Sequence, residues 1–155
     1  MERRKFLSLL GGAFALSFIP ANLAADDYRK LKPNVWTAHT VEDGIKNLYG
    51  TTSMIESKDI KIKMSKINSS GGAVPVKFST KIPAKTVALF QDANPESAVA
   101  VYSVGKYDIT DYEVKIKLGP VGTNIATVTV VVEGLDGKLY TAKLSTEVAA
   151  GGCEG

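Results

Sequence analysis

The sequence predicts an all-β protein, an antiparallel β-sandwich of seven or eight short strands preceded by one short helix. Three observations lead to this prediction. After Ser53, apolar and polar residues alternate with a period of two. β-Branched residues are frequent in these runs, and turn residues separate them about every 8–12 residues, which is typical of sandwiches. A chain of 155 residues is long enough to bury one hydrophobic core.

Residues 1–25 are predicted to be a twin-arginine export signal. Arg3 and Arg4 open a basic segment, an apolar run covers residues 9–19, and small residues precede Asp26. The run is shorter than the roughly 20 residues that a membrane span needs, so a membrane anchor is the less favoured interpretation. We therefore expect cleavage near Ala24 or Ala25 and a mature protein in the periplasm, exported by the twin-arginine route, without a membrane anchor.

Residues 26–50 are predicted to be a mixed segment that leads into the helix. Thr40 is a good N-cap with Asp43 three residues later, and Gly50 supplies the stop. The apolar stripe has helical spacing and consists of Val41, Ile45, Leu48 and Tyr49. Gly44 weakens such a helix by about 1 kcal/mol relative to alanine, so the helix needs a larger surface to pack against.

Two residues before the helix have structural interpretations. Trp36 is expected to cover one edge of the core. His39 is the only histidine of the chain and has no cysteine or second histidine with which to form a metal cluster. We therefore expect His39 to be a surface or half-buried structural residue, and the sequence predicts no metal site.

Residues 51–148 are predicted to form the sandwich. The expected strands lie at 60–64, 74–78, 86–90, 98–104, 112–118, 125–133 and 139–149, with turn residues between them. We expect 82–84 to end the second of these strands. No internal repeat or long linker interrupts the series, so we predict one domain.

Charge and composition exclude several functions. The formal net charge of +3 comes partly from residues 1–25, which hold three of the 19 basic and one of the 16 acidic residues. The remainder is nearly neutral, which gives no reason to expect nucleic acid as a partner. The chain has no phosphate-binding glycine loop before a helix, no CxxC pair and no Ser-His-Asp arrangement, and no cofactor is predicted. The aspartates at 26, 27, 108 and 111 are interpreted as solvated turn residues.

Residues 149–155 are predicted to be a flexible carrier arm. Cys153 is the only cysteine, and Gly151, Gly152 and Gly155 surround it. Glycines have no side chain to bury and are costly to order, so no core can form there. Cys153 follows Val148 by five residues, which span at most about 17 Å when extended.

Three interpretations of Cys153 follow: an unused tail cysteine, a disulfide between two copies of the chain, or a covalent carrier site. A lone exposed thiol is a liability in an oxidising compartment, which disfavours the first. Glu154 disfavours the thiolate by repulsion of like charges. The active site of another protein would then activate the Cys153 thiol, as expected for a carrier and not for an enzyme. A β-sandwich that binds a partner and has an incidental tail is the alternative function.

The chain resembles SoxY, the sulfur-carrier family of the bacterial thiosulfate-oxidising (Sox) system. That family ends in Gly-Gly-Cys-Gly-Gly, which Gly151, Gly152, Cys153 and Gly155 match. It also has an Arg-Arg export signal and a small helix before an immunoglobulin-like sandwich. Further similar segments are 72–76, 94–100 and 136–140.

The resemblance implies that Cys153 is the attachment point for thiosulfate and its oxidation intermediates. A haem enzyme couples thiosulfate to the thiol, a hydrolase releases sulfate, and in some organisms a molybdenum enzyme oxidises the remaining sulfane sulfur. The carrier pairs with a second β-sandwich subunit, SoxZ, in a heterodimer. Glu154 departs from the family glycine, and a carrier of another sulfur compound is therefore an alternative.

Overall fold

The computed structural model describes residues 26–69, 71–119 and 124–149, and it confirms the predicted all-β sandwich. The helical elements are α1 (Tyr28–Leu31), a 3-10 turn (Pro33–Val35) and α2 (Val41–Tyr49). The strands are β1 (Ile55–Glu56), β2 (Ile60–Lys63), β3 (Ile67–Asn68), β4 (Val74–Thr80), β5 (Ala84–Gln91), β6 (Ala98–Ser103), β7 (Asp111–Ile116), β8 (Ile125–Gly134) and β9 (Leu139–Val148).

The strands form two sheets. The larger sheet has the order β1-β9-β8-β5-β6, with β3 also paired to β9, and the smaller sheet has the order β2-β4-β7. Strands β2 and β4 to β9 pair antiparallel, as predicted. The two short strands β1 and β3 instead run parallel to β9, so the prediction of a wholly antiparallel fold is wrong at this edge. Strands of two residues are too short to show a pattern in the sequence, and the pattern of a strand does not indicate whether it pairs parallel or antiparallel.

The inner core lies between the two sheets. Alternate residues of β4, namely Val74, Val76 and Phe78, are at most 1% exposed and face the larger sheet. Burying a side chain of this size stabilises the fold by about 1.5–3 kcal/mol. The expected end of the strand at 82–84 is wrong, because β4 ends at Thr80 and Ala84 already opens β5.

Helix α2 covers the outer face of the larger sheet and forms a second core with it, the outer core. The hydroxyl of Thr40 accepts a 3.0 Å hydrogen bond from the backbone N–H of Asp43, and Gly50 ends the helix with a φ of 78°. Ile45 and Leu48 are buried with residues of β5 and β8. These two strands are therefore covered on both faces, which explains why their sequences are continuous apolar runs.

The segment before α2 contains more helix than the sequence predicted. Asp27 caps α1 by accepting a 3.2 Å hydrogen bond from the backbone N–H of Arg29. The indole N–H of Trp36 donates to the carbonyl of Tyr28 at 3.2 Å, and the Arg29 guanidinium lies 4.3 Å from the centre of the indole ring. Trp36 packs against the outer core, as expected for a residue that covers a core edge.

Candidate functional site: the root of the C-terminal arm

The predicted carrier residues Gly151, Gly152, Cys153, Glu154 and Gly155 lie outside the described residues. The export-signal arginines, Arg3 and Arg4, lie outside them as well. The structure describes the position at which the predicted arm would begin, which we call the root. That place is the end of β9, with Ala149 as the last described residue.

The end of β9 is held on both sides. The backbone N–H of Val148 donates to the carbonyl of Asn124 at 2.8 Å, and the N–H of Ala149 donates to the carbonyl of Asn68 at 2.9 Å. The side chain of Val148 is 2% exposed and belongs to the inner core. The chain is therefore anchored through Ala149, four residues before Cys153.

A buried hydroxyl joins β3 to this root. The hydroxyl of Thr146, a residue that is 2% exposed, donates to the carbonyl of Ser65 at 2.7 Å and accepts from the amide of Asn68 at 2.7 Å. Residues 65–68 are thereby fixed along the edge of β9. Nothing in the sequence indicated this contact, because its partners are 78 and 81 positions apart in the chain.

A glycine allows the close packing beside the root. The backbone N–H of Leu118 donates to the carbonyl of Gly71 at 2.8 Å. A Cβ atom at Gly71 would overlap the carbonyl oxygen of Leu118 and would lie 3.0 Å from a methyl group of Val148. Only glycine fits this position without a shift of the backbone.

The outer surface at the root is partly apolar. Ile67 of β3 and Ile125 of β8 both face Glu147 of β9 in the sheet register, one on each side. The two isoleucine side chains are 68% and 49% exposed, respectively. A carboxylate flanked by two exposed aliphatic groups therefore lies at the end of β9. The sequence showed no signal for this surface, since it depends on strands that are distant in the chain.

The remaining polar residues named in the sequence analysis have structural roles. Nδ1 of His39 lies 2.9 Å from the carbonyl oxygen of Pro95, and the residue is exposed. Asp108 accepts a 2.7 Å hydrogen bond from the backbone N–H of Gly105, and Asp111 lies 3.9 Å from Lys77. Asp27 is the cap of α1.

Residues 26–69, 71–119 and 124–149 contain neither a metal-binding cluster nor a helix suited to a membrane. No three or more histidine, cysteine, aspartate or glutamate side chains are grouped there so that they could hold a metal. No helix in these ranges is long and apolar enough to cross a membrane.

Comparisons with known proteins agree with the fold. The family model for the sulfur oxidation protein SoxY matches residues 45–153. The structure of the sulfur carrier protein SoxY from Chlorobium limicola f thiosulfatophilum superposes with a TM-score of 0.62 at 29% identity, over 70% of this chain and 96% of that one. Comparison with curated protein sequences found no match.

Two other solved structures are less similar. A superoxide reductase (neelaredoxin) from Ignicoccus hospitalis gives a TM-score of 0.49 at 14% identity, over 57% of this chain and 79% of that one. The human F-spondin reeler domain gives 0.43 at 14% identity, over 60% and 92%. The family match, by contrast, covers α2 from Ile45, all nine strands and the arm as far as Cys153. The chain therefore belongs to the SoxY family of sulfur oxidation proteins.

Proposed function

We propose that this protein is a periplasmic carrier in which Cys153 covalently holds thiosulfate-derived sulfur while partner enzymes act on it. Membership of the SoxY family supports the general role, a sulfur carrier in sulfur oxidation. One observation carries the specific role. Cys153 is the final residue of the family match and follows the last anchored residue, Ala149, by only four positions.

The anchored root has a mechanical consequence for this role. Because Ala149 is hydrogen-bonded to β3 and Val148 is buried, the arm starts from a fixed point on the body. The four residues from Ala149 to Cys153 span at most about 14 Å. A partner that docks near the root would therefore find the thiol within a short, defined radius, which raises the effective concentration of the cargo in its active site.

Two partner activities would load sulfur onto Cys153 and release sulfate from it. In the first step, the Cys153 thiolate and thiosulfate form an S–S bond and release two electrons, which a haem enzyme accepts. In the second, water attacks the terminal sulfone, and sulfate and two protons leave while a persulfide stays on Cys153. A molybdenum enzyme would then oxidise the remaining sulfane sulfur. This chain supplies only the thiol and its position.

The proposal also includes a partner subunit and a location in the periplasm. Membership of the SoxY family places the chain among proteins that act within the Sox system, and a SoxZ-like β-sandwich is the proposed subunit of a heterodimer. Arg3 and Arg4 support export by the twin-arginine route, which carries folded proteins and so suits a pre-formed pair.

Mass spectrometry of the C-terminal peptide tests the carrier role. The protein is isolated from cells oxidising thiosulfate, and its single cysteine makes the adduct site unambiguous. We expect a mass increase equal to thiosulfate or to added sulfur atoms, and the Cys153→Ser variant should neither carry an adduct nor support sulfur oxidation in a reconstituted system. An unmodified thiol in all samples, or full activity of Cys153→Ser, would contradict the proposal.

A further inference from the structure

The end of the sandwich opposite the root contains a cavity of about 500 Å³, which we call the distal cavity. It lies between the β4–β5 loop, the segment after β6 and the β8–β9 turn. Much of its wall is apolar and consists of Ile82, Pro83, Ala84, Val104 and Leu135. Because Ile82 and Val104 also pack against the inner core, the distal cavity lies directly above that core.

Hydrogen bonds between the loops hold the distal cavity in shape. The backbone N–H of Leu135 donates to the carbonyl of Pro83 at 2.8 Å, and the hydroxyl of Thr110 donates to the carbonyl of Thr80 at 2.7 Å. The side chain of Leu135 is 64% exposed, so the wall presents a large apolar group that an occupant would cover. A preformed, largely apolar concavity of this kind is typical of a binding site.

The described part of the chain begins beside this cavity. The carboxylate of Asp26 accepts a 3.4 Å hydrogen bond from the hydroxyl of Ser103, and Tyr28 packs against the outer core. Ser103 is the last residue of β6, and the next residue, Val104, belongs to the cavity wall. The residues that precede Asp26 in the uncleaved chain therefore start next to the distal cavity.

Leu23 is the apolar residue that this arrangement brings within reach. The sequence between Pro20 and Asp26 is Ala-Asn-Leu-Ala-Ala, so Leu23 is the only large apolar side chain there. It precedes Asp26 by three residues, which span at most about 10 Å. These five residues carry no charge, so they meet no like charge at the cavity rim, which contains Lys81, Lys106 and Asp108.

We propose that Leu23 docks in the distal cavity of the uncleaved chain and holds the end of the export signal against the folded body. The inference rests on the predicted signal, residues 1–25, and is independent of the chemistry of Cys153. The occupant is this segment because it is tethered beside the cavity, and a tether raises its local concentration far above that of a free ligand.

Docking has a consequence for cleavage of the signal. The predicted cleavage region, Ala24 and Ala25, lies between the docked Leu23 and Asp26, which is held at Ser103. A protease that must bind this region as an extended segment is therefore blocked until Leu23 leaves the cavity. Arg4 precedes Leu23 by 19 positions, so the twin arginines remain available for export.

Hydrogen exchange of the purified, uncleaved chain tests the docking, in the Cys153→Ser background so that no disulfide forms. We expect amides of residues 104–109 to exchange about fivefold more slowly with the wild-type signal than with Leu23→Asn, because the buried leucine opposes opening of the loops. Leu16→Asn makes the same change farther from Asp26 and is the matched control, which should leave the exchange unchanged.

A second comparison tests whether the distal cavity is the place of docking. Leu135→Asn changes the cavity wall, and the effect of Leu23→Asn should disappear in that background. Ile67→Asn changes a residue of similar exposure (68%) at the root, and Leu23→Asn should keep its full effect there. Circular dichroism checks that each variant is folded.

Three results would overturn the proposal: no effect of Leu23→Asn, an equal effect of Leu16→Asn, or an undiminished effect of Leu23→Asn in the Leu135→Asn background. Slower exchange that appears only as the protein concentration rises would also overturn it, since a second copy would then fill the cavity. These measurements need neither export nor sulfur, so their failure is distinguishable from failure of the carrier role, which mass spectrometry of Cys153 tests.

Discussion

The side-chain amide of Asn68 donates a 2.7 Å hydrogen bond to the hydroxyl of Thr146, which joins two residues that are 78 positions apart in the chain. The same hydroxyl donates to the carbonyl of Ser65 at 2.7 Å. Since Thr146 is 2% exposed, water cannot easily replace these bonds. This buried hydroxyl therefore helps to hold residues 65–68 beside the end of β9.

We predict that Thr146→Val destabilises the fold by about 1–3 kcal/mol, because the amide of Asn68 and the carbonyl of Ser65 lose the Thr146 hydroxyl and keep only their 3.4 Å hydrogen bond to each other, while the side-chain shape is kept. Denaturant unfolding measures the loss, and hydrogen exchange of the Ala149 amide should become faster. Thr146→Ser retains the hydroxyl and is the control, with a smaller effect. A Thr146→Val protein as stable as the wild type would contradict this role of the hydroxyl.

Gly44 offers a test in which helix propensity and packing oppose each other. Alanine would gain about 1 kcal/mol of helix propensity. However, its Cβ would lie 2.9 Å from the ring of Phe90 and 2.9 Å from the hydroxyl of Ser97, both in the buried layer beneath α2. Overpacking typically costs about 1–3 kcal/mol, so we expect a net loss of about 1 kcal/mol for Gly44→Ala.

The melting temperature and denaturant midpoint measure the effect of Gly44→Ala. Lys46→Ala changes an exposed residue of the same helix and is the control, with an expected change within about 0.5 kcal/mol. If Gly44→Ala were more stable than the wild type, the close packing of α2 on Phe90 would be refuted.

The β8–β9 turn predicts a pH dependence of stability. The hydroxyl of Tyr140 donates to the Asp136 carboxylate at 2.7 Å, which lowers the pKa of Asp136 and raises the pKa of Tyr140. The contribution of Asp136 is present above its unfolded pKa of about 4 and is lost as the pH falls through the lower folded value. The contribution of Tyr140 is present below its unfolded pKa of about 10 and is lost as the pH rises through the higher folded value.

Tyr140→Phe keeps the ring and removes the hydrogen bond. At pH 7 we expect the wild type to have a higher melting temperature than Tyr140→Phe. The difference should shrink below about pH 4, where Asp136 becomes protonated, and above about pH 10, where Tyr140 loses its proton. Tyr107→Phe, at an 87% exposed tyrosine, is the control and should show no such profile. A difference that stays constant from acid to alkaline pH would show that the bond contributes nothing.

Glu154 is predicted to slow reactions of the neighbouring thiol with anions. Because like charges repel, Glu154→Gln should increase the rate of Cys153 with iodoacetate more than with neutral iodoacetamide. Glu154→Gly removes bulk as well, and comparing the two variants separates charge from size. Equal ratios of the two rates in the wild type and Glu154→Gln would mean that the carboxylate does not act on the thiol.

The export route is predicted to depend on Arg3 and Arg4. Lysine keeps the positive charge but not the planar guanidinium, so the double change to lysine should stop export by the folded-protein route. Fractionation of cells should then show precursor in the cytoplasm and little protein in the periplasm. Arg29→Lys, a change outside the signal, is the control. Normal periplasmic levels of the double variant would argue against this route.

The local elements were predictable because short-range chemistry determines them. The helix begins after Thr40 and ends before Gly50, as the cap residues indicated. The seven strands of four or more residues overlap the ranges that the alternating and the continuous apolar runs predicted. The lone Cys153, near the end of the chain and next to glycines, was recognisable without any tertiary information.

The pairing of strands was decided only by the tertiary structure, because it depends on contacts between residues that are distant in the chain. The parallel alignment of β1 and β3 with β9, and the bond between Asn68 and Thr146, have no signature in neighbouring residues. Gly44 looked like a weak point of a helix, and the structure shows that Phe90 needs the space. The sequence predicts which residue carries sulfur from local composition alone, whereas the end of β9 is anchored by hydrogen bonds to residues 68 and 124, which only the tertiary structure brings together.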